Sequence, residues 1–566
     1  MSRQRFLVGM LLTLAVVLGL WLLWMVISGF LGFRSAQAME DTADELVENI
    51  KSGNTESVYE LLPQMREQAA SASARFNSAP WSVMSDLPLM GPTVRLLGDV
   101  SAGTSAMVAA TQGHDGEIVA ATTRLTNDGV SGIGALSALA PVADAAASAV
   151  EPYEQRVSQT LPDELLPGPF ESVQERFLGL ASGARAASGA TRALPVMLGA
   201  EGTRRWAVIV ENTAEARGTG GLIGAYATVT LQQGRFLDPS ASDTNALFKN
   251  ETIPLDGIPK DTRDFWGDSL SRWWGLNLDR NFPFAGELVH RGLADVGTQV
   301  DDVVSLDSFA VAGLLEATGP IKVKGYEVTP ENAAAFFTRD IYEAFPDRDA
   351  KDAITVALMD QLLTRVARSQ LDLPDLWDAL GPAAEQGSLL TYSNDPEVQE
   401  NLLKMPTSGA VPPDVAAWST VGINDLAGNK LSAYLDVEMI YDSAARCEAS
   451  SAVTVTVTNN APEGLPEYVD QRNDDQGGPL GSTLVGVAVY GPPGSVLERY
   501  ELDDEQVPLN AGVNSNHPTW MARMDLKRGD SQTFRVVFTE PTSYNRPTIT
   551  AQPMTNPATA VARSSC

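Results

Sequence analysis

The stretch ENTAEARGTGGLIGAYATVTLQQGRF, residues 211–236, decides how the middle of the chain folds. It places an arginine, Arg217, before a cluster of small residues, and an alternating run from Tyr226 to Leu231 follows. Alternation of apolar and polar residues is typical of a half-buried strand. The stretch therefore predicts a strand that is entered through a tight turn.

The turn itself has two interpretations. In the first it is an anion site made by Arg217, Gly220 and Gly221, because successive backbone N–H groups can form an anion nest and arginine adds a charged fork suited to phosphate. In the second it is a structural turn with a surface arginine. The stretch has no Walker lysine and no GxGxxG that opens a helix, so the residues by themselves favour the structural turn.

Around this turn the sequence alternates between strand and helix patterns. Trp206–Val210 (WAVIV) and Val303–Leu306 are short apolar runs suited to buried strands, whereas Ser308–Ala317 and Ala350–Arg368 have helical character. Such a mixture predicts an α/β domain over residues 195–430.

The flanking regions differ from this domain. Residues 40–190 carry apolar residues at helical spacing between prolines and predict a helical bundle or stalk. Residues 431–552 contain short β-rich runs separated by Pro, Gly and Asn, which predict a β-sandwich, and residues 553–566 are expected to be a tail. The expected fold class is therefore multidomain α+β.

The N-terminus carries a run of 28 residues, Phe6–Phe33, without a charged side chain. A transmembrane helix needs about 20 apolar residues, and the basic Arg3 and Arg5 before the run should stay in the cytoplasm. We therefore expect a single-pass cell-membrane protein with residues 1–5 inside and the body outside the cytoplasm. A cleaved signal peptide is the alternative, since Ser35–Ala38 resembles a cleavage site, but the run is longer than a usual signal core.

Composition narrows the function further. The 566 residues carry a net charge of −31, which disfavours nucleic-acid binding. The three histidines and two cysteines give no zinc cluster at ligand spacing, so no metal site is expected from them. In an exported body Cys447 and Cys566 could form a disulfide, and two free thiols are the alternative.

A second candidate for ligand binding is the stretch DTRDFWGDSLSRWWGLNLDRN, residues 261–281. Its mixed charges, amides and tryptophans suit a polar or sugar-bearing ligand, with Arg263, Asn277 and Asp279 as candidate contacts. The competing interpretation is a long loop that its tryptophans fold down onto the protein.

Several stretches resemble the bacterial family known as domain of unknown function 4012. They are PW at 80–81 with LPLMGP at 87–92, ENTAEARGTGGLIGAY at 211–226, LNLDRNFPFAGEL at 276–288, SLDSFAVAGLLEATGPIKV at 305–323, LLTYSNDPEVQ at 389–399 and GINDLAGNKLSAYL at 422–435. The resemblance spans most of the exported body, but the family name implies no activity.

The middle of the chain is also distantly similar to the LytR-CpsA-Psr transferases, which move glycopolymers from polyprenyl pyrophosphate to the cell wall. Arg217–Gly220 stands where that family has an arginine followed by Ser-Asp-Thr, and Leu306–Phe309 resembles its Val-Asp-x-x-x-Phe segment. The resemblance implies a pyrophosphate ligand at Arg217. The family's magnesium-binding aspartate has no counterpart here, because Thr219 and Gly220 occupy its place.

These observations lead to two expectations for function. The first is a non-catalytic binding or scaffold role in assembling or maintaining the cell envelope, with a lipid-linked glycan or envelope proteins as partners and no cofactor. The alternative is a divergent glycopolymer phosphotransferase that acts on polyprenyl-pyrophosphate-linked substrates with Mg²⁺. The missing aspartate disfavours an enzyme.

Overall fold

The structure is a computed structural model that describes residues 28, 31–88, 90–160, 170–244, 252–369, 373–447 and 449–565. The chain divides into two units, Met1–Asn127 with Ala135–Thr191, and Asp128–Gly134 with Arg192–Cys566. Of the predicted membrane run Phe6–Phe33, only residues 28 and 31–33 are described, so that prediction lies largely outside the described residues. The predicted disulfide partner Cys566 also lies outside them.

The first unit is helical. A helix spans residues 31–51 (α1), and the following helices are α2 (Thr55–Phe76), α3 (Ala79–Met84), α4 (Gly91–Ala109), α5 (Asp115–Asp128), α6 (Ala140–Ser158) and α7 (Phe170–Met197), with a 3₁₀ helix at Gly129–Leu139. Asn54 caps α2, since its side chain accepts a hydrogen bond from the Ser57 N–H group. The core of the unit packs Val150 and Val157 of α6 against Leu96 and Phe177.

One helical stretch among the described residues, Gly132–Ser158, is long and apolar enough to cross a membrane by length and composition alone. It contains α6, whose valines lie in the core just described. Core helices pass the same test, so this stretch is weak evidence for a second span.

The second unit begins with a five-stranded sheet of order β3-β2-β1-β4-β7. Its strands are β1 (Thr203–Arg217), β2 (Gly220–Gln232), β3 (Arg235–Asp243), β4 (Asp302–Leu306) and β7 (Leu389–Ser393), and β5 (Ile321–Val323) and β6 (Tyr326–Val328) form a small hairpin. β1 and β4 are parallel neighbours, whereas β1–β2, β2–β3 and β4–β7 are antiparallel.

Helices bury both faces of this sheet. The helices in this part of the chain are α8 (Lys260–Trp266), α9 (Phe282–Asp295), α10 (Ser308–Thr318), α11 (Ala333–Ala335), α12 (Ile341–Ala344), α13 (Arg348–Arg368), α14 (Leu373–Glu385) and α15 (Pro396–Leu402), with a π-helix at Phe336–Asp340. Ala207 and Ile209 of β1 share a core with α9, while Val208 and Val210 face the opposite side, toward α13. Burial of both faces explains the continuous apolar run WAVIV.

The rest of the unit contains two further five-stranded sheets, of order β12-β15-β10-β9-β17 and β13-β14-β11-β8-β16. Their strands are β8 (Trp418–Asp425), β9 (Leu435–Ser443), β10 (Ser451–Asn459), β11 (Thr483–Tyr490), β12 (Val496–Leu502), β13 (Asn510–Asn514), β14 (His517–Leu526), β15 (Ser531–Thr539), β16 (Thr548–Ala551) and β17 (Thr559–Ser564), with a short helix α16 at Glu467–Asp470. Side chains of both sheets form one core, in which Val455 and Phe534 from one sheet join Val487 and Met524 from the other.

The sheet that contains β11 is buried on its other face as well. Ala488, Tyr490 and Met521 belong to the core that includes Trp273 and Phe282 of the α/β part. The α/β part and the paired sheets are therefore one unit rather than the two domains, 195–430 and 431–552, expected from sequence.

Two predicted bounds are wrong. β8 belongs to the paired sheets although it lies before residue 431, because it pairs with β11. The expected tail 553–566 contains β17, which forms the edge of its sheet and pairs in parallel with β9.

Candidate functional site

The glycine turn connects β1 to β2 through Gly218 and Thr219, between the paired residues Arg217 and Gly220. A Cβ atom on Gly218 would lie 2.3 Å from the Leu278 carbonyl oxygen, and one on Gly221 would lie 2.2 Å from the Asn212 carbonyl group. Real Cβ atoms do not approach backbone so closely. The glycines are therefore explained by close backbone packing.

Arg217 is buried, with 5% of its surface exposed. Its Nη1 donates to the carbonyl oxygens of Ala216 at 2.8 Å and Asp425 at 2.9 Å, and its Nε donates to the Trp274 carbonyl oxygen at 3.1 Å. The guanidinium thus joins β1, the end of β8 and the segment before Asn277. The expectation that Arg217 lies at the surface is therefore wrong. All three of these hydrogen bonds go to backbone carbonyl groups.

Arg217 forms a buried cluster of charges with Glu215, Asp425 and Lys430, here called the Arg217 cluster. The Lys430 ammonium lies 2.6 Å from a Glu215 carboxylate oxygen, and both side chains are buried. Burial raises the pKa of Asp425 to about 7, although the nearby charge of Arg217 acts in the opposite direction. Oδ1 of Asp425 accepts from two backbone N–H groups, while Oδ2 is buried without a hydrogen bond.

Two asparagines fix the glycine turn to its surroundings. Oδ1 of Asn424 accepts from the Gly218 N–H group at 3.0 Å, and its Nδ2 donates to the Leu278 carbonyl oxygen at 3.2 Å. Nδ2 of Asn277 donates to the Thr219 hydroxyl at 2.9 Å and to the Gly221 carbonyl oxygen at 2.8 Å. Asn277, a predicted ligand contact, therefore supports the turn.

Asp279, another predicted contact, is also held by protein groups. Its carboxylate accepts from the Trp266 indole at 3.2 Å and from the Asn281 N–H group at 2.9 Å. Burial raises the pKa of Asp279 to about 6. Two of the three tryptophans, Trp266 and Trp273, are buried in the core and hold the stretch 261–281 down, whereas Trp274 is 50% exposed.

The predicted site residues thus separate into two groups. Arg217, Gly220, Gly221, Asn277 and Asp279 are all buried. Arg263 instead lies exposed on α8. Cys447 is disulfide-bonded, and its pairing with Cys566 stays a prediction.

A separate cavity lies beyond the carboxyl end of β4, an edge at which open α/β sheets usually bind ligands. On β1 it is lined by residues 210–212 in the middle of the strand, where the parallel pairing with β4 ends. Its volume is about 40 Å³, enough for a few water molecules, and it is partly open to solvent. It is lined by Val210, Glu211, Asn212, Gly224, Ala225, Ser308, Val311, Phe337, Ile341, Tyr342, Lys351 and Thr355. Phe337 comes from the π-helix, a feature often found at functional sites.

Ser308 gives this cavity an unused hydrogen-bonding group. Its hydroxyl is buried without a partner, and the residue is 3% exposed. Ser308 is the first residue of α10, whose next two N–H groups are capped by the Asp307 carboxylate at 2.8 and 3.1 Å. The Ser308 hydroxyl can therefore both donate to and accept from a ligand.

The other polar groups of the cavity are partly engaged. The Tyr342 hydroxyl accepts from Nδ2 of Asn212, and the Lys351 ammonium pairs with Asp352. Burial raises the pKa of Tyr342 well above its usual value, so the phenol keeps its proton at neutral pH. The cavity consequently presents hydroxyl groups and one paired cation beside apolar side chains.

Glu211 connects the cavity to the glycine turn. Its carboxylate accepts from the Ser305 hydroxyl at 2.8 Å, from the Gly221 N–H group at 3.0 Å and from the Thr219 hydroxyl at 2.9 Å. Burial raises the pKa of Glu211 to about 7, although these hydrogen bonds act in the opposite direction. The group is therefore close to half-protonated at neutral pH.

Residues 201–342 match the family model described as Protein of unknown function (DUF4012). This part of the chain belongs to the DUF4012 family. The comparisons with curated proteins and with solved structures gave no match. The similarity to the LytR-CpsA-Psr transferases stays a prediction, as does the family resemblance of the stretches outside residues 201–342.

The DUF4012 region contains the glycine turn and most of the cavity wall, including Glu211, Ser308 and Tyr342. Sequence reasoning missed these cavity residues. The sequence did mark two of them as residues near strand ends. Glu211 directly follows WAVIV, and one residue separates Ser308 from the predicted strand Val303–Leu306. Tyr342 and Lys351 had no such signal, since tertiary packing alone brings their helices to the strand ends.

Among the described residues, no group of three or more His, Cys, Asp or Glu side chains is placed to hold a metal ion. The acidic groups near the glycine turn are instead occupied by hydroxyl, indole and backbone N–H donors.

Proposed function

We propose that the chain is a membrane-anchored, extracytoplasmic protein with a binding or scaffold role in the cell envelope. The observation that carries this choice over a phosphotransferase is the environment of Arg217, whose three hydrogen bonds all go to backbone carbonyl groups. An arginine that binds pyrophosphate needs its donors directed at an accessible ligand.

The nearby carboxylates support the same choice. A transferase that uses a metal needs oxygen ligands that can turn toward the ion. Asp279 is held by an indole and a backbone N–H group, and Glu211 by two hydroxyls and an N–H group. Both carboxylates would have to give up these hydrogen bonds before they could bind a metal ion.

The cavity where the parallel pairing of β1 and β4 ends is the place where we expect one group of a ligand to bind, because its volume is about 40 Å³. Ser308 and Tyr342 suit a hydroxylated group such as a sugar, and Val311 and Phe337 supply an apolar side. A lipid-linked glycan, the ligand expected from sequence, has groups of both kinds.

The envelope location has two supports. The uncharged run Phe6–Phe33 has the length of a membrane anchor with basic residues on its cytoplasmic side. Cys447 is disulfide-bonded, as is typical of exported proteins.

The test is binding of a polyprenyl-pyrophosphate-linked disaccharide to the full chain in detergent, with and without Mg²⁺. We expect saturable binding that is insensitive to Mg²⁺ and to Arg263→Gln. Ser308→Ala should weaken it by roughly two- to tenfold, the equivalent of one hydrogen bond worth about 0.5–1.5 kcal/mol.

Two outcomes contradict the proposal. Binding that requires Mg²⁺ and is lost in Arg217→Lys, with the variant still folded at the assay temperature, would favour the transferase. Absence of saturable binding in all conditions would remove the lipid-linked glycan as the ligand and with it this form of the binding role.

A further inference from the structure

Residues 80–92, PWSVMSDLPLMGP, expose an unusual concentration of apolar side chains; all of them except Leu89 are described. Val83, Leu87 and Met90 are 61%, 45% and 38% exposed. Single exposed apolar residues are common on soluble proteins, but three within eight positions indicate a surface that is covered by something.

The same segment is fixed to the end of the predicted membrane run. Nε1 of Trp81 donates to the Ser28 hydroxyl at 2.8 Å, and Ser28 lies inside Phe6–Phe33. The rings of Phe76 and Trp81 meet edge to face at 5.4 Å, and Phe76 packs so closely on Gly32 that a Cβ there would lie 2.9 Å from its ring. Two separate contacts thus hold this segment beside residues 28–32.

These contacts show which part of the anchor run lies beside the segment. Ser28 comes five positions before Phe33, which corresponds to about 7.5 Å along a helix. If Phe6–Phe33 spans the membrane, Trp81 would lie near the level where the anchor passes from hydrocarbon into headgroups. Phe33, at the end of the run, is itself 57% exposed.

The composition of the segment suits that level. Tryptophan is enriched at membrane interfaces, where its ring is shielded and its N–H group is hydrogen-bonded. Asp86 is the only charged residue between positions 80 and 92, and it lies exposed on the turn after α3.

We propose that residues 80–92 are a membrane-contacting surface that inserts Val83, Leu87 and Met90 into the headgroup region of the outer leaflet beside the anchor. This inference rests on the proposed membrane anchoring. It means that the helical unit is held against the bilayer by two elements, the anchor and this segment, instead of pivoting on the anchor alone.

The test uses the full chain reconstituted into phospholipid vesicles, with an environment-sensitive fluorophore on a single introduced cysteine. Val83→Cys is the test position, and Cys447 does not take the label because it is disulfide-bonded. Val47→Cys is the matched control, since Val47 is 52% exposed but lies 14 positions past Phe33, about 21 Å further along a helix.

Nitroxide groups on the lipid headgroup or high on the acyl chain should quench the Val83→Cys label at least twofold more strongly than the Val47→Cys label. A label on Leu87→Cys should be quenched as strongly as the label on Val83→Cys. Agreement between the two positions shows that the quenching does not result from a local folding defect at one of them. Equal quenching at all positions, in a chain that floats with the vesicles, would overturn the inference while leaving the anchor intact. A chain that does not float with the vesicles would overturn the anchor and this inference together.

Discussion

Replacing Arg217 by methionine distinguishes an arginine that supports the fold from one that binds a ligand. The substitution removes three hydrogen bonds from a charged donor and leaves the carbonyl groups of Ala216, Trp274 and Asp425 without it. It also removes the positive charge beside the buried carboxyl group of Asp425. A buried carbonyl group that loses its donor costs roughly 1–3 kcal/mol, and with three such groups affected we expect a total destabilisation of about 3–5 kcal/mol.

The assay is thermal unfolding of the full chain, followed by circular dichroism. At about 2 °C per kcal/mol for a large domain, the melting temperature should fall by roughly 6–10 °C. Arg263→Met is the matched control, because Arg263 is exposed on α8. A surface substitution of this kind is expected to change stability by about 0.5 kcal/mol or less.

The opposite pattern would refute the reasoning. If Arg217→Met melts with the wild-type chain and instead loses binding of a polyprenyl-pyrophosphate ligand, the arginine is a ligand group and the contacts to the backbone are incidental.

Three further predictions follow from the same buried groups. Burial raises the pKa of Asp425 from its ordinary value of 3.8 to about 7, so between these pH values the folded chain binds a proton that the unfolded chain does not. The free energy of unfolding should therefore fall as the pH rises through that window. Asp425→Asn should reduce the change in melting temperature between pH 5.5 and pH 8. In denaturant titrations, Ser308→Ala should leave the free energy of unfolding unchanged within about 0.5 kcal/mol, because the Ser308 hydroxyl has no partner. Ser305→Ala should lower it by about 1–3 kcal/mol, because the buried carboxylate of Glu211 loses a hydrogen-bond donor. Gly218→Ala should lower stability by roughly 1–3 kcal/mol through its clash with a backbone carbonyl, while Gly224→Ala in the next strand, where a Cβ meets nothing, should be tolerated.

Local patterns predicted the mixed α+β architecture and its helical N-terminal region, and the structure confirms both. WAVIV is apolar because both faces of β1 are covered, and the strand is therefore visible in the sequence. The helix after Val303–Leu306 is visible for a similar reason, since an apolar segment follows directly after the capping residue Asp307.

The same patterns missed where β1 ends. The strand continues to Arg217, through Thr213 and Glu215, which are buried although they are polar. Their partners come from distant segments: Lys430 pairs with Glu215, and the Thr555 hydroxyl contacts that of Thr213. Hydrophobic periodicity carries no information about polar residues that are buried by ion pairs with distant segments.

The interpretation of Arg217 was undecided for the same reason. Two of its acceptors lie 57 and 208 positions away in sequence, in the segment after α8 and at the end of β8. Residue types alone suit an anion and a set of carbonyl groups equally well, because both accept hydrogen bonds. Only the fold supplies the carbonyl groups, and their contacts with Arg217 favour the structural role.

Glu211 shows why a motif that supports the fold still matters to the cavity. The Gly221 N–H group and the Thr219 hydroxyl hold its carboxylate from the side of the turn, while the residue lines the cavity on its other side. Its burial, which raises the pKa to about 7, results from the close packing that the glycines permit. In our proposal the glycine turn therefore does not contact the ligand; it sets the position of Glu211, the acidic residue that lines the cavity.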